Sequence, residues 1–154
     1  MSEGNKPVSD NPLAVTAGDG IPPLALPPVD RAMLALFGCA SGDLNPIHID
    51  LDFARKAGMP DVFAQGMLGM AWMARALTAW APQSRLRRLD ARFVGITHLG
   101  HHITVTGRIM EIVEIEGERC ARIELGNTNQ YGQTVITGEA LIAIDVPAYP
   151  RTIE

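Results

Sequence analysis

Between Gly66 and Trp80 the chain reads Gly-Met-Leu-Gly-Met-Ala-Trp-Met-Ala-Arg-Ala-Leu-Thr-Ala-Trp, with Arg75 as its only charge. An amphipathic surface helix carries a polar stripe, and this segment has almost none. A helix apolar all round must be buried on most sides. It is too short to cross a bilayer, which takes ~20 such residues. The middle helix of a helical bundle would also meet the requirement, but the sequence that follows is not helical. The rest of the chain has to wrap this helix in something else.

From Arg85 to Val146 the pattern switches to period two. Leu89, Ala91 and Phe93 alternate with Arg88, Asp90 and Arg92; Ile103, Val105, Gly107 and Ile109 alternate with Thr104, Thr106 and Arg108. Ala121, Ile123 and Leu125 alternate with Arg122 and Glu124, and Ile136, Gly138, Ala140, Ile142 and Ile144 share one face of a last strand. One apolar and one polar face in sequential strands predict an antiparallel sheet covered on one side only. Glu116-Gly117 is the expected hairpin turn. The small residues Gly107, Gly138 and Ala140 are expected to let the sheet approach the helix closely. The resulting architecture is α+β, an antiparallel sheet around a long apolar central helix.

Upstream, residues 1 to 20 are rich in Gly, Asn, Asp, Ser and Pro without periodicity and predict a mobile or loosely draped arm, leaving one domain over 21–154. Pro22, Pro23, Pro27 and Pro28 allow at most a short edge strand. A helix is expected from near Val29 to Ser41-Gly42, with Met33, Leu34, Leu36 and Phe37 on its apolar side. A second, capped by Asp50, is expected over Leu51–Ala57 and stopped by Gly58.

Between those helices lies Cys-Ala-Ser-Gly-Asp-Leu-Asn-Pro-Ile-His, residues 39 to 48. Pro46 biases Asn45 away from the α region and Gly42 frees the backbone before Asp43. A tight loop of this kind can turn Asp43 and His48 onto one small molecule such as a water. Proton-transfer catalysis needs two titratable groups of different intrinsic pKa converging in that way. Asn45, a natural turn residue before proline, is expected to hold the loop.

The stretch Phe37-Gly38-Cys39-Ala40-Ser41-Gly42-Asp43-Leu44-Asn45-Pro46-Ile47-His48, followed by Ala54 and Phe63-Ala64-Gln65-Gly66-Met67, closely resembles the hydratase signature of the MaoC-like family. Members of that family are (R)-specific enoyl-CoA hydratases, or (3R)-hydroxyacyl-thioester dehydratases, and the general layout matches from about Pro28 to Val146. The resemblance implies a single hot-dog domain and an Asp43/His48 catalytic pair. It also implies that the Gly66 N–H binds the thioester oxygen and that the protein is a two-fold dimer with sites near the subunit boundary. Where the family usually has His-Gly, this chain has Gln65-Gly66, and Gln65 is expected to position the loop. The implied substrate is an acyl-CoA or acyl-carrier-protein thioester, and no metal or redox cofactor is required. An acyl-CoA thioesterase would also use a carboxylate-activated water. A non-catalytic acyl-thioester-binding partner subunit is the alternative from another class, and the intact dyad argues against it.

A formal net charge of -4 gives no electrostatic support to nucleic-acid binding. Cys39 and Cys120 suit reduced thiols, and the N-terminus lacks the basic start and apolar run of a signal peptide, so the cytoplasm is expected. His98, His101 and His102 are expected to be exposed loop residues, because neighbours on a strand point to opposite faces and cannot converge on one ion. Arg85, Arg87, Arg88 and Arg92 are candidates for coenzyme A phosphates or, equally, for a solvated strand face or a subunit interface. Met67, Met70 and Met73 are expected in the core, lining at most part of an acyl tunnel.

Overall fold

A computed structural model of the chain describes residues 13–145. In chain order the elements are β1 (Leu24–Ala25), α1 (Arg31–Ser41), a 3-10 turn (Pro46–His48), α2 (Leu51–Lys56), α3 (Gly66–Trp80), a second 3-10 turn (Gln83–Arg85), β2 (Leu86–Phe93), β3 (Thr104–Ile115), β4 (Glu118–Thr128) and β5 (Thr134–Ala143). The five strands form one antiparallel sheet in the order β1-β3-β4-β5-β2. The expected Glu116-Gly117 turn joins β3 to β4. Its φ angles of 52° and 81° are the left-handed pair that suits a two-residue hairpin.

One face of the sheet packs on α3. Leu68, Trp72, Met73, Ala76 and Leu77 of the helix join Ile109, Ile123, Leu125, Ile136, Ala140 and Ile142 of the sheet in one core. Close approach is built from two glycines. A Cβ at Gly138 would stand 2.7 Å from the Asp90 carbonyl oxygen and 3.0 Å from Met73 Sδ, and one at Gly69 would lie 2.1 Å from Ile136 Cδ1. Gly107 instead makes room for Ile21 and Leu125. The outer face is polar, as the alternation predicts, and carries Arg88–Asp90, Arg122–Glu111 and Arg122–Glu139 pairs. A register shift between Ile109 and Glu111 breaks the alternation in β3: it turns Glu111 to the outer face beside exposed Met110 and brings Ile112 back against the core.

The two sheet edges differ. The outer edge of β3 is covered by β1, by Ile21 N–H on Gly107 O and by Leu26 N–H on Ile103 O. Residues 13–20 of the expected arm are tied down: Leu13 N–H donates to Ile144 O, Gly18 N–H to Ile109 O, and Ile109 N–H to Asp19 O. Residues 1–12, and the Val146 end of the last predicted strand, lie outside the described residues. At the other edge β2 has no partner strand on its outer side among the described residues.

α1 begins at Arg31, two residues later than Val29, because both Val29 backbone groups are engaged by the loop at Gly100-His101. Asp30 caps it, accepting from Met33 N–H at 2.8 Å. Leu34 and Gly38 are its buried residues, whereas Leu36 is 72% exposed. No helix among the described residues is long and apolar enough to cross a membrane.

Candidate active site

The loop after α1 is shaped by short-range bonds that its own sequence supplies. Gly42, at φ 77°, closes the helix by donating its N–H to Gly38 O. A side chain at Gly38 would stand 3.0 Å from Asp43 O, so the bare backbone lets the loop fold onto the helix. Ser41 Oγ donates to Phe37 O and accepts from Asp43 N–H. Asp43 Oδ1 accepts from Asn45 N–H at 3.3 Å, and Asn45 Oδ1 accepts from Ile47 N–H at 3.1 Å, capping the Pro46–His48 turn. Asp50 then caps α2 through Asp52 N–H and Phe53 N–H, and Gly58 follows at φ 85°.

This chain of caps places His48 and Asp43 opposite each other. His48 is buried, its ring edge-on to Phe63 at 5.1 Å. Nδ1 lies 2.7 Å from Phe63 O. A carbonyl can only accept, so Nδ1 carries the hydrogen and neutral His48 presents a bare Nε2. That nitrogen lies 4.0 Å from Asp43 Oδ2, whose side chain is 39% exposed. The gap is too wide for a direct hydrogen bond. It suits one water placed about 2.8 Å from each atom.

Gly66 opens α3, where the first N–H groups of a helix have no intrahelical partner and the helix dipole is positive. Gln65 is the N-cap residue but makes no side-chain cap. Its side chain is 1% exposed and turned inward, Nε2 donating to Leu34 O at 3.0 Å. It therefore ties the start of α3 to α1, while its Oε1 has no hydrogen-bond partner among the described residues.

Beside the dyad runs an apolar groove of about 440 Å³, lined by Phe37, Asp43, Met67, Met70, Ala74 and Leu89 among others. It follows the side of α3 that the sheet does not reach. Met73 is fully buried, as expected, but Met67 is 53% exposed and Met70 half-buried on this groove.

Several expectations about other residues need correction. Arg85 is buried and donates to Ala143 O and Ile144 O, beyond the point where β2 can pair with β5. Arg87 forms a two-pronged pair with Glu118, holding that carboxyl below its usual range mainly through the hydrogen bond, and also donates to Ser84 O. Arg88 pairs with Asp90, and Arg92 lies on the outer sheet face among Asp90, Arg122, Glu124 and Glu139. Arg87, Arg88 and Arg92 are exposed and fit the solvated-face reading, whereas buried Arg85 does not. His102 is exposed as expected, but His98 and His101 are half-buried, their rings stacked edge to face at 5.3 Å, with Tyr131 edge-on to His101 at 6.2 Å. Sequence reasoning also missed the Phe63 carbonyl and the fully buried Asn127, whose Nδ2 donates to Gly69 O inside α3. A backbone carbonyl leaves no mark in a sequence.

A curled antiparallel sheet around one central helix, with a few short helices at one end, defines a hot-dog fold. The family model of the MaoC like domain matches residues 2–130, and the chain belongs to that family of dehydratases and hydratases. Fatty acid synthase subunit beta of Saccharomyces cerevisiae is 28% identical over 146 residues, covering 93% of this chain and only 6% of that much longer protein. The mitochondrial 3-hydroxyacyl-acyl-carrier-protein dehydratase FERN of Solanum lycopersicum is 28% identical over 98 residues, 64% of this chain and 59% of its own length. Among solved structures, the unliganded R-hydratase PhaJ1 of Pseudomonas aeruginosa superposes with a TM-score of 0.75 at 26% identity, covering 90% of this chain and 89% of that one.

Proposed function

We propose that this chain adds water reversibly across the double bond of a trans-2-enoyl-CoA, giving the (3R)-3-hydroxyacyl-CoA. The observation that carries the reading is the 4.0 Å gap between His48 Nε2 and Asp43 Oδ2, with the tautomer of His48 fixed by Phe63 O. Hydration requires one oxygen at C3 and one proton at C2. A water held between the two groups loses a proton to the dyad as its oxygen bonds to C3. The dyad returns a proton to C2, so the overall balance is one water added. Charge that builds on the thioester oxygen meets the Gly66 N–H at the positive end of α3, where a preorganised donor lowers the barrier. Asp43 and His48 act as one coupled unit.

The apolar groove beside Asp43 supplies room for an acyl chain, and its walls bear on chain length. Asn45 and Gln65 hold the loop and the helix start in place. No metal or redox cofactor enters the chemistry. Free Cys39 and Cys120 suit a reducing cytoplasm. The β2 edge, which has no partner strand on its outer side among the described residues, and the open side of α3 suit a homodimer, which would extend the sheet and bury apolar helix surface.

Loss of enoyl absorbance with crotonyl-CoA tests the reading directly. A steady hydration rate supports it, whereas thiol release without hydration would make the protein a thioesterase. Binding with neither reaction would make it a partner subunit. Comparing CoA with acyl-carrier-protein thioesters across chain lengths then identifies the carrier and the acyl group.

A further inference from the structure

His98 and His101 lie outside the dyad and have no part in the chemistry above, yet they are joined to it by a continuous line of hydrogen bonds. Phe63 and His98 face each other as an antiparallel bridge, and Ala64 N–H donates to Thr97 O at 2.9 Å. In such a pair the bonds are made by the flanking residues, and the amide groups of the facing residues themselves point outward. Phe63 O is therefore directed away from His98, to His48 Nδ1 at 2.7 Å. The His98 N–H is directed the other way, to His101 Nδ1 at 3.3 Å. An imidazole nitrogen thus occupies each outward side of one backbone bridge.

The two contacts respond oppositely to a proton. His48 donates through Nδ1 and keeps that bond whether its ring is neutral or charged. His101 accepts through Nδ1, so protonation there places N–H against N–H and the bond must break. The rings of His98 and His101 also stack at 5.3 Å, where two positive charges repel. From the neighbouring elements, His101 is faced by Tyr131 on the β4–β5 connection at 6.2 Å. The loop is further tied by His101 O accepting from Val29 N–H. Asp30, next along the chain, has its carboxylate turned to Met33 N–H. Burial first, and the nearby His98 second, hold the His101 pKa below its ordinary 6.5.

We infer that His101 is a positioning residue for His48: in its neutral form it holds the His98–Phe63 bridge, and through it the carbonyl that fixes the tautomer and aim of His48. This rests on the hydratase reading for its kinetic consequence, but its structural half does not. The sign follows from linkage. With the folded pKa depressed, stability from this group is fully present above 6.5 and is lost as pH falls through the folded pKa.

The test uses His101→Asn, which keeps an acceptor near the Nδ1 position but cannot be protonated, and His101→Leu, which removes the acceptor. The first readout is imidazole NMR of His48 across pH 4.5–8, which needs no activity. In the wild type the His48 Nδ1–H signal should weaken as His101 titrates; in His101→Asn it should persist to lower pH. The second readout is the acid limb of crotonyl-CoA hydration. Its logarithmic slope should approach two protons in the wild type and one in His101→Asn, while His101→Leu should lose about tenfold in kcat even at neutral pH. Identical His48 titrations in wild type and His101→Asn would overturn the inference. If no protein hydrates crotonyl-CoA but the His48 signals differ as expected, the positioning role stands and the hydratase reading fails.

Discussion

Replacing Asn45 by alanine isolates the loop from the chemistry, because the Asn45 side chain bonds to the Ile47 backbone rather than to the side chains of the dyad. Its Oδ1 bonds to Ile47 N–H at 3.1 Å and its own N–H to Asp43 Oδ1 at 3.3 Å. Alanine removes the first bond and leaves the second to a less constrained backbone. Loss of a cap of this kind typically costs ~1 kcal/mol, with exposed sites at the low end. For a chain of this size that lowers Tm by about 2–4 °C. The same ~1 kcal/mol is a factor of about five in the ratio of capped to uncapped loop, which lowers kcat/KM by up to about fivefold through population alone. If the loop relaxes by ~1 Å, the His48–Asp43 gap no longer fits one water and the fall approaches a hundredfold. Asn45→Asp, which keeps the acceptor, should retain most of the thermal stability. Crotonyl-CoA hydration and a melting curve on each variant measure both quantities. Unchanged kcat/KM in a folded Asn45→Ala protein would refute the claim that this cap sets the dyad geometry.

The remaining predictions concern the helix start and assembly. Gln65→His should keep activity within about tenfold, a barrier change of ~1.4 kcal/mol, since either side chain can donate to Leu34 O. A gain of several orders of magnitude would show a catalytically impaired natural protein and favour the partner-subunit reading. Light scattering should give a dimer or a multiple of one, and Ala71→Glu, on the uncovered side of α3, should shift the population toward monomer. A stable, active wild-type monomer at micromolar concentration would contradict this.

The elements written most plainly in the sequence are those fixed by local rules. The bounds of α3 coincide with its apolar run, Asp50 and Gly58 bracket α2, and Glu116-Gly117 turns the hairpin. The convergence of Asp43 and His48 was also legible, since Gly42, Asn45 and Pro46 shape that loop through bonds spanning a few residues. What was not legible depends on long-range partners. Arg85 reads in the sequence equally as a phosphate ligand or as part of an exposed or subunit-facing strand, but it is buried against carbonyls 58 and 59 residues away. The inward turn of Ile112 follows from a register shift that alternation does not announce. His101 packs beside Tyr131, on a different strand connection, and His98 packs on His101. The open side of α3 was implied only by surplus apolar area, and its groove took shape once Phe37 and Leu89 were placed beside it.

The central claim is that Asp43 and His48 act as one acid–base unit on a water that adds to an enoyl thioester. Crotonyl-CoA hydration should be measured for the wild type, Asp43→Asn, His48→Gln and the double variant, with circular dichroism to confirm that each is folded. General acid–base groups contribute ~10²–10⁴-fold, and members of one unit are not additive. Each single variant should fall by that order, and the double variant should be little worse than either. Near wild-type rates in either single variant, or a full multiplicative loss in the double, would contradict the account.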